Sequence, residues 1–249
     1  RHPRVQGEAH AELHGHLTVV DGFLPKGYTA PRDGTAESRL AEAVRRLMDA
    51  SVVTDADEDE VVAVADRIDA ISAQLEGPES SRLTPGTRWP SREKMVQGDR
   101  DHNPVAGPAN PLSPPMYVEV VDPETDEVGA ELSMRPIHEG PPGGVHGGWV
   151  ATLLDQLLGI ANIASGNPAM TGELTIRYRK PTPIGVPLTL RARTVSAEGR
   201  RMTTTGEIRT ADGEVTAEAS GLFIRPNRER LDRHEALIKE RLEQASSPT

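Results

Sequence analysis

The chain has 249 residues, enough for one ordinary domain with an extension or for two small domains. Hydrophobic residues make up 36% and aromatics only 3%, so a core has to be built from Ala, Val, Leu and Ile, and a formal net charge of −10 speaks against nucleic acid as a partner. The lack of Cys excludes disulfides, thiolate nucleophiles and Cys-ligated metals together.

At the N-terminus, "RHPRVQGEAHAELHGHL" has no apolar signal-peptide core, and no apolar run in the chain reaches the roughly 18 residues of a membrane span. The expectation is a soluble, cytoplasmic protein without membrane insertion. Arg1 in place of Met leaves the true start of the chain open. His10, His14 and His16 cluster here, but "HAELH" lacks the glutamate placement of a zincin motif, so no metal site is expected beyond adventitious binding.

In "TAESRLAEAVRRLMDA", Leu40, Val44, Leu47 and Met48 recur at helical spacing, and Thr35 is placed to cap the start. In "DEDEVVAVADRIDAISAQLEG", Val61, Val64, Ala65, Ile68 and Leu75 do the same, with early acids that suit a helix N-terminus. The spacing predicts two helices packed as a hairpin, within an extension covering residues 1–76. Asp55, Asp57 and Asp59 match the first positions of a calcium loop, but Glu60 stands where the loop requires Gly, so a solvated helix start is expected. Residues 77–115 are dense in Pro, Gly, Ser and Asn and read as a linker or long surface loop.

After Pro115 the pattern becomes strict alternation. "YVEVVD" and "EVGAELSM" read as strands, with Val128, Ala130, Leu132 and Met134 on one face. Beyond a glycine-rich loop and a helix come four further strands. Leu174, Ile176 and Tyr178 face one way in the first of these, Leu188, Leu190 and Ala192 in the second, and Asp212 and Gly213 turn between the last two. Short loops predict that these four form an antiparallel meander. Residues 116–225 thus form an α+β domain, and residues 226–249 a charged helix with a thin stripe of Leu231, Ile238 and Leu242.

The helix between the strands sets the functional question. Val150, Leu153, Leu154, Leu157, Leu158 and Ala161 form one apolar stripe, and the opposite side carries Thr152, Gln156, Gly159 and Ile163. Between Glu139 and Glu173, Asp155 is the only formally charged side chain. A helix apolar or small nearly all round is expected to be buried nearly all round, as the filling of a sheet that wraps it. An unpaired carboxylate there is costly. Asp155 is therefore held by a structural hydrogen bond or ion pair, or kept in a dry cleft as base or nucleophile. Ahead of it, Gly143, Gly144, Gly147 and Gly148 allow close backbone approach, and the helix-start amides carry partial positive charge, the ingredients of an oxyanion hole. Asp155 lies roughly 10 Å along the helix from those amides at about 1.5 Å per residue. A symmetric dimer would close that gap.

From about Asn103 to Ile224 the sequence resembles the hotdog-fold acyl-CoA thioesterases of the PaaI/4HBT superfamily, in particular the THEM4-like branch with its "GPPG-x-VHGG…D" signature. Here the signature reads "GPPGGVHGGWVATLLD", followed by the family-like "MTGELTIRYRKPTP". The resemblance implies a hotdog fold with an N-terminal helical extension, and hydrolysis of acyl-CoA or acyl-carrier-protein thioesters without a metal or redox cofactor, CoA being part of the substrate. It implies a homodimer, in many members paired again into a tetramer, with sites at the dimer interface. Gly147 and Gly148 would polarise the thioester carbonyl, and Asp155 of the partner chain would activate water or attack directly. His146 and Thr171 match positions that help hold the carbonyl or the water. Arg177, Arg179 and Lys180 would meet the CoA phosphates. Other hotdog branches carry Asn or Gln about seven residues before the polarising glycine; Gly140 stands there, so the task would fall to His146 or His138, or be absent. Two rivals stand beside this reading: a non-catalytic acyl-CoA-binding or regulatory module with a structural Asp155, and a hydratase on the same fold.

Overall fold

A computed structural model of the chain describes residues 34–75 and 100–227, together with Glu229, Arg233, Ala236 and Leu237. His10, His14 and His16, residues 77–99, and the stripe of Leu231, Ile238 and Leu242 lie outside the described residues. The elements are α1 (Ala36–Val52), α2 (Glu58–Leu75), β1 (Glu119–Asp122), β2 (Glu127–Ser133), α3 (Gly147–Ala164), β3 (Met170–Tyr178), β4 (Pro187–Glu198), β5 (Arg201–Thr210) and β6 (Val215–Ile224).

The strands form one antiparallel sheet of six, in the order β1-β2-β4-β5-β6-β3, and α3 lies across one face of it. Alternation along each strand sends Val128, Ala130 and Leu132, Leu188, Leu190 and Ala192, Met202 and Ile208, and Ala217, Ala219 and Phe223 inward against Leu153, Leu154, Leu157 and Leu158. The helix sits close because Gly206 faces it: a Cβ there would lie 2.7 Å from Leu158 Cδ1. Asn162, fully buried, donates to the Leu158 carbonyl and accepts from Thr194 and Thr204, which ties the end of α3 to β4 and β5. This is the hotdog arrangement that the resemblance implies.

Two expectations are corrected. The last four strands do not form a meander, since β3 pairs with β6 while β4 pairs with β2. The Pro-containing segment between β3 and β4 crosses beneath the glycine loop and is pinned there. Val145 N–H donates to the Thr182 carbonyl at 2.7 Å, Ile184 N–H to that of Gly143 at 3.1 Å, and Gly185 N–H to that of Met134 at 2.9 Å. A short connection can thus cross when backbone groups elsewhere receive its hydrogen bonds.

Nor do α1 and α2 pack as a hairpin. No residue of α2 is buried, and α1 turns Leu40 and Leu47 outward while burying Ser38, Ala41 and Arg45. The buried Arg45 guanidinium donates to the carbonyls of Pro108, Asn110 and Ser113. Residues 100–115, which composition assigns to the linker, are therefore packed, with a single 3-10 turn at Arg100–His102 as their regular structure: Ala106, Ala109 and Ser113 are buried, and an arginine serves their backbone acceptors. Asp57 Oδ1 accepts from Glu60 N–H at 2.9 Å and caps α2, in keeping with a helix start rather than a calcium loop.

Candidate active site

The glycine-rich loop folds by its own backbone. Gly144 N–H donates to the Pro141 carbonyl at 2.8 Å, Gly140 N–H to that of Gly144 at 2.9 Å, and Gly143 N–H to Glu139 Oε1 at 2.6 Å. The loop delivers His146 to the N-cap of α3, where its Nδ1 accepts from Gly148 N–H at 3.0 Å. That bond assigns the proton of the neutral imidazole to Nε2, which points away from the cap as a donor. Gly147 N–H has no hydrogen-bond partner among the described residues. Its carbonyl accepts from Tyr178 Oη at 2.9 Å, with the ring 3.5 Å from where a Cβ would stand. The first amide of α3 is thus a fixed, open donor at the positive end of a helix dipole.

Asp155 is half-buried, not enclosed. The sheet leaves one side of α3 uncovered, so Thr152, Asp155, Gln156 and Gly159 are only half-buried in a single chain, which corrects the expectation of burial nearly all round. Thr171 Oγ1 donates to Asp155 Oδ1 at 2.8 Å. Strict alternation from Leu174 and Ile176 would send Thr171 to the outer face. A register shift between Thr171 and Glu173 reverses the phase, so that Thr171 pairs with the inward-facing Phe223 and reaches the helix side. The bulge aims the hydroxyl.

The remaining expected residues divide. His146, Gly147 and Gly148 come together at the start of α3, and Asp155 and Thr171 form a second pair further along it. Gly148 N–H is occupied by His146, which leaves Gly147 as the open amide. At Gly140, a Cβ would lie 2.7 Å from His146 Cα, so the position that carries Asn or Gln in other branches admits no side chain here. His138 is buried, with its ring edge-on to Trp149 at 4.6 Å between centroids and its Nδ1 accepting from Arg135 N–H at 3.1 Å. Burial lowers its pKa to about 4, the Asp49 carboxylate opposing and Arg135 reinforcing that shift, so it is a neutral packing group at pH 7.

Arg179 is held by Glu218 at 2.6 Å and Lys180 pairs with Glu214, while Arg177 lines a shallow groove of about 500 Å³ on the outer face of the sheet with Arg191 and Arg193. Arg179 and Lys180 are thus paired with acids of β6 and of the turn before it. Tyr178 is the group that sequence reasoning missed, because it continues the inward-facing positions of β3 and reads as core. Among the described residues no group of three or more His, Asp or Glu could hold a metal ion, and no helix is long and apolar enough to cross a membrane.

Comparison with known proteins bears on the same region. The thioesterase superfamily model, 4HBT, matches residues 142–217, from the glycine loop through α3 to β6. Acyl-coenzyme A thioesterase THEM4 of Xenopus laevis is 36% identical over 91 residues, 36% of this chain and 41% of that protein. The Mus musculus protein of the same name is 36% identical over 88 residues, 35% of this chain and 38% of its own. The chain thus spans about two fifths of the length of the curated relatives it matches. A thioesterase superfamily protein of known crystal structure is 38% identical, with a TM-score of 0.68 over 79% of this chain and 94% of that one. A solved relative 38% identical and matched over 94% of its length shows the family, and the chain belongs to the thioesterase superfamily.

Proposed function

We propose that this protein hydrolyses acyl thioesters of coenzyme A, or of an acyl-carrier protein, to the free acid and the thiol, as a cytoplasmic homodimer. The observation that carries the reading is the 2.8 Å hydrogen bond from Thr171 to Asp155, on the open side of a helix whose first amide is also open. The names of the THEM4 relatives support the substrate class.

With Oδ1 held by Thr171, Asp155 Oδ2 takes a proton from water as the water oxygen bonds to the thioester carbonyl carbon. The carbonyl electron pair moves onto oxygen, where Gly147 N–H and the helix dipole receive it. Collapse of that intermediate breaks the C–S bond, and the proton on Asp155 passes to the departing thiolate. Direct attack by Asp155 on the carbonyl carbon would break the C–S bond, release the thiolate and leave an anhydride, which water opens to the free acid and the regenerated carboxylate, and it uses the same groups. His146 Nε2–H is the donor for the carbonyl or the water. Neither route uses a metal or a redox cofactor.

Asp155 and Gly147 of one chain are too far apart along α3 to share a carbonyl. A second copy resolves this. Strand β3 is a long, largely exposed edge strand, a template for pairing with another chain. Antiparallel pairing of β3 with its copy, about a two-fold axis perpendicular to the strands, sets the Asp155 of one protomer opposite the Gly147 of the other. Arg177, Arg179 and Lys180 then receive the CoA phosphates, Arg179 and Lys180 by exchanging carboxylate partners.

The test is thiol release from short, long and aromatic acyl-CoAs and from an acyl-carrier-protein thioester. Asp155→Asn and Asp155→Ala are expected to lower kcat about a hundredfold or more, and Thr171→Val about tenfold with little change in KM. Binding of acyl-CoA without thiol release from any substrate would overturn the hydrolase reading in favour of a non-catalytic binding module.

A further inference from the structure

Helix α1 lies outside the sheet, yet its polar face leads by an unbroken set of contacts to the amide end of α3. Arg45 anchors α1 on residues 108–113 and donates to Glu42 at 2.8 Å. Glu42 accepts from Arg135 Nη1 at 3.1 and 3.2 Å, and Asp49 Oδ2 accepts from Arg135 Nε at 2.6 Å. Asp49 Oδ1 also accepts from Ile137 N–H at 3.4 Å. Arg135 enters the single turn Pro136–His138, whose last residue makes two contacts with the site. The His138 carbonyl accepts from His146 N–H at 2.9 Å, and the His138 ring abuts Trp149 in the first turn of α3.

Arg135 is 17% exposed and Asp49 is 19% exposed, so neither partner is a solvated surface ion. A bidentate guanidinium held by two acids on one helix fixes both the direction and the depth of the backbone that follows it. Burial alone would raise the Glu42 pKa, but the hydrogen bonds from Arg45 and Arg135 outweigh it and keep the carboxylate charged.

We infer that Asp49 and Glu42 are positioning residues for the amide end of α3: through Arg135 they set the turn that holds His146, and so the direction in which Gly147 N–H points. The kinetic consequence rests on the thioesterase reading; the geometric one does not. The extension is then a brace for the site, and the sheet alone does not complete it. An oxyanion donor misaimed by a fraction of an ångström loses stabilisation of the transition state far more than of the bound substrate.

The experiment uses the full chain and records amide ¹H–¹⁵N signals and hydrogen exchange at His146, Gly147 and Gly148 together with thiol-release kinetics. Asp49→Asn keeps an oxygen acceptor for Arg135 and gives up only the longer bond from Ile137 N–H, so it is expected to move the signals much less than loss of both acceptors and to keep kcat within about twofold. Asp49→Leu keeps the volume without the acceptor. It is expected to move all three signals, to raise exchange of His146 N–H about tenfold, and to lower kcat about tenfold with KM within about twofold. Glu42→Leu is the second variant, with the same pattern and a smaller amplitude, and it decides the matter where Asp49→Leu does not fold. Ile208→Val, a cavity in β5 that removes none of these contacts, is expected to lower stability while leaving the signals and kcat unchanged.

Unmoved His146–Gly148 signals in Asp49→Leu, or the same disturbance in Ile208→Val, would overturn the inference. If the native protein releases no thiol while the signals respond, the brace stands and the thioesterase reading falls.

Discussion

At the scale of single residues, His138 separates structural from chemical roles. Its ring is buried against Trp149, its folded-state pKa is lowered to about 4, and the unfolded chain titrates near 6.5. Above pH 6.5 neither state binds the proton and the full stability is present. As pH falls from 6.5 to about 4, the unfolded state takes up a proton that the native state refuses, and up to about 3 kcal/mol is lost. Urea unfolding across that range should show this slope in the native protein and a flatter one in His138→Gln, which keeps an acceptor for Arg135 N–H. Equal slopes would mean that His138 is not the titrating group. The candidate catalytic residues were legible because each broke a pattern: Asp155 is the lone charge of its stretch, and His146 interrupts a run of glycines. Thr171 was legible only by resemblance, since its alternation phase points the wrong way until a bulge corrects it.

At the scale of elements, helix periodicity identified α1 and α2 but assigned them the wrong contacts. Apolar stripes are expected to be buried, yet α1 docks by Arg45, Glu42 and Asp49 on its other face. The reason is energetic: the segment it covers has backbone carbonyls and no regular structure, and a guanidinium satisfies carbonyls where Leu cannot. Arg45→Met should therefore cost roughly 3 kcal/mol in chemical denaturation, because it strands buried acceptors. Ile71→Lys, beside the exposed stripe of α2 and itself exposed, should change stability by less than about 0.5 kcal/mol. A loss of several kcal/mol at Ile71 would show instead that another surface covers this stripe. The strand order followed the same lesson. Alternation located all six strands, while the crossing of the segment between β3 and β4 depended on hydrogen bonds to the glycine loop.

At the scale of the whole molecule, the proposed site requires two chains, and that makes complementation decisive. Gly147→Pro removes the open amide while placing proline at the first helical position, where its ring is tolerated. Asp155→Asn removes the base. Each variant alone should be inactive, and each should run in light scattering at twice the 26.9 kDa chain mass. Unfolded and refolded together, they should form mixed dimers with one intact site in two, and recover about a quarter of native activity. No recovery from mixed dimers would place amide and carboxylate in the same chain and sink the shared site. The brace from α1 would act on each half of such a dimer separately, since all of its contacts lie within one chain.

The sequence by itself determined the elements and the central choice of fold: six alternating segments around one apolar helix, with a glycine-rich entry and a single acid, admit few other arrangements. Those properties are local, because periodicity and turn chemistry act over a few residues. Tertiary structure alone decided the place of β3 at the edge, the turning of Thr171 onto Asp155, the closing of Gly140 by His146, and the docking of α1 through its polar face. Each of these depends on which distant backbone groups are left without a partner, a quantity that arises only once the chain has folded back on itself.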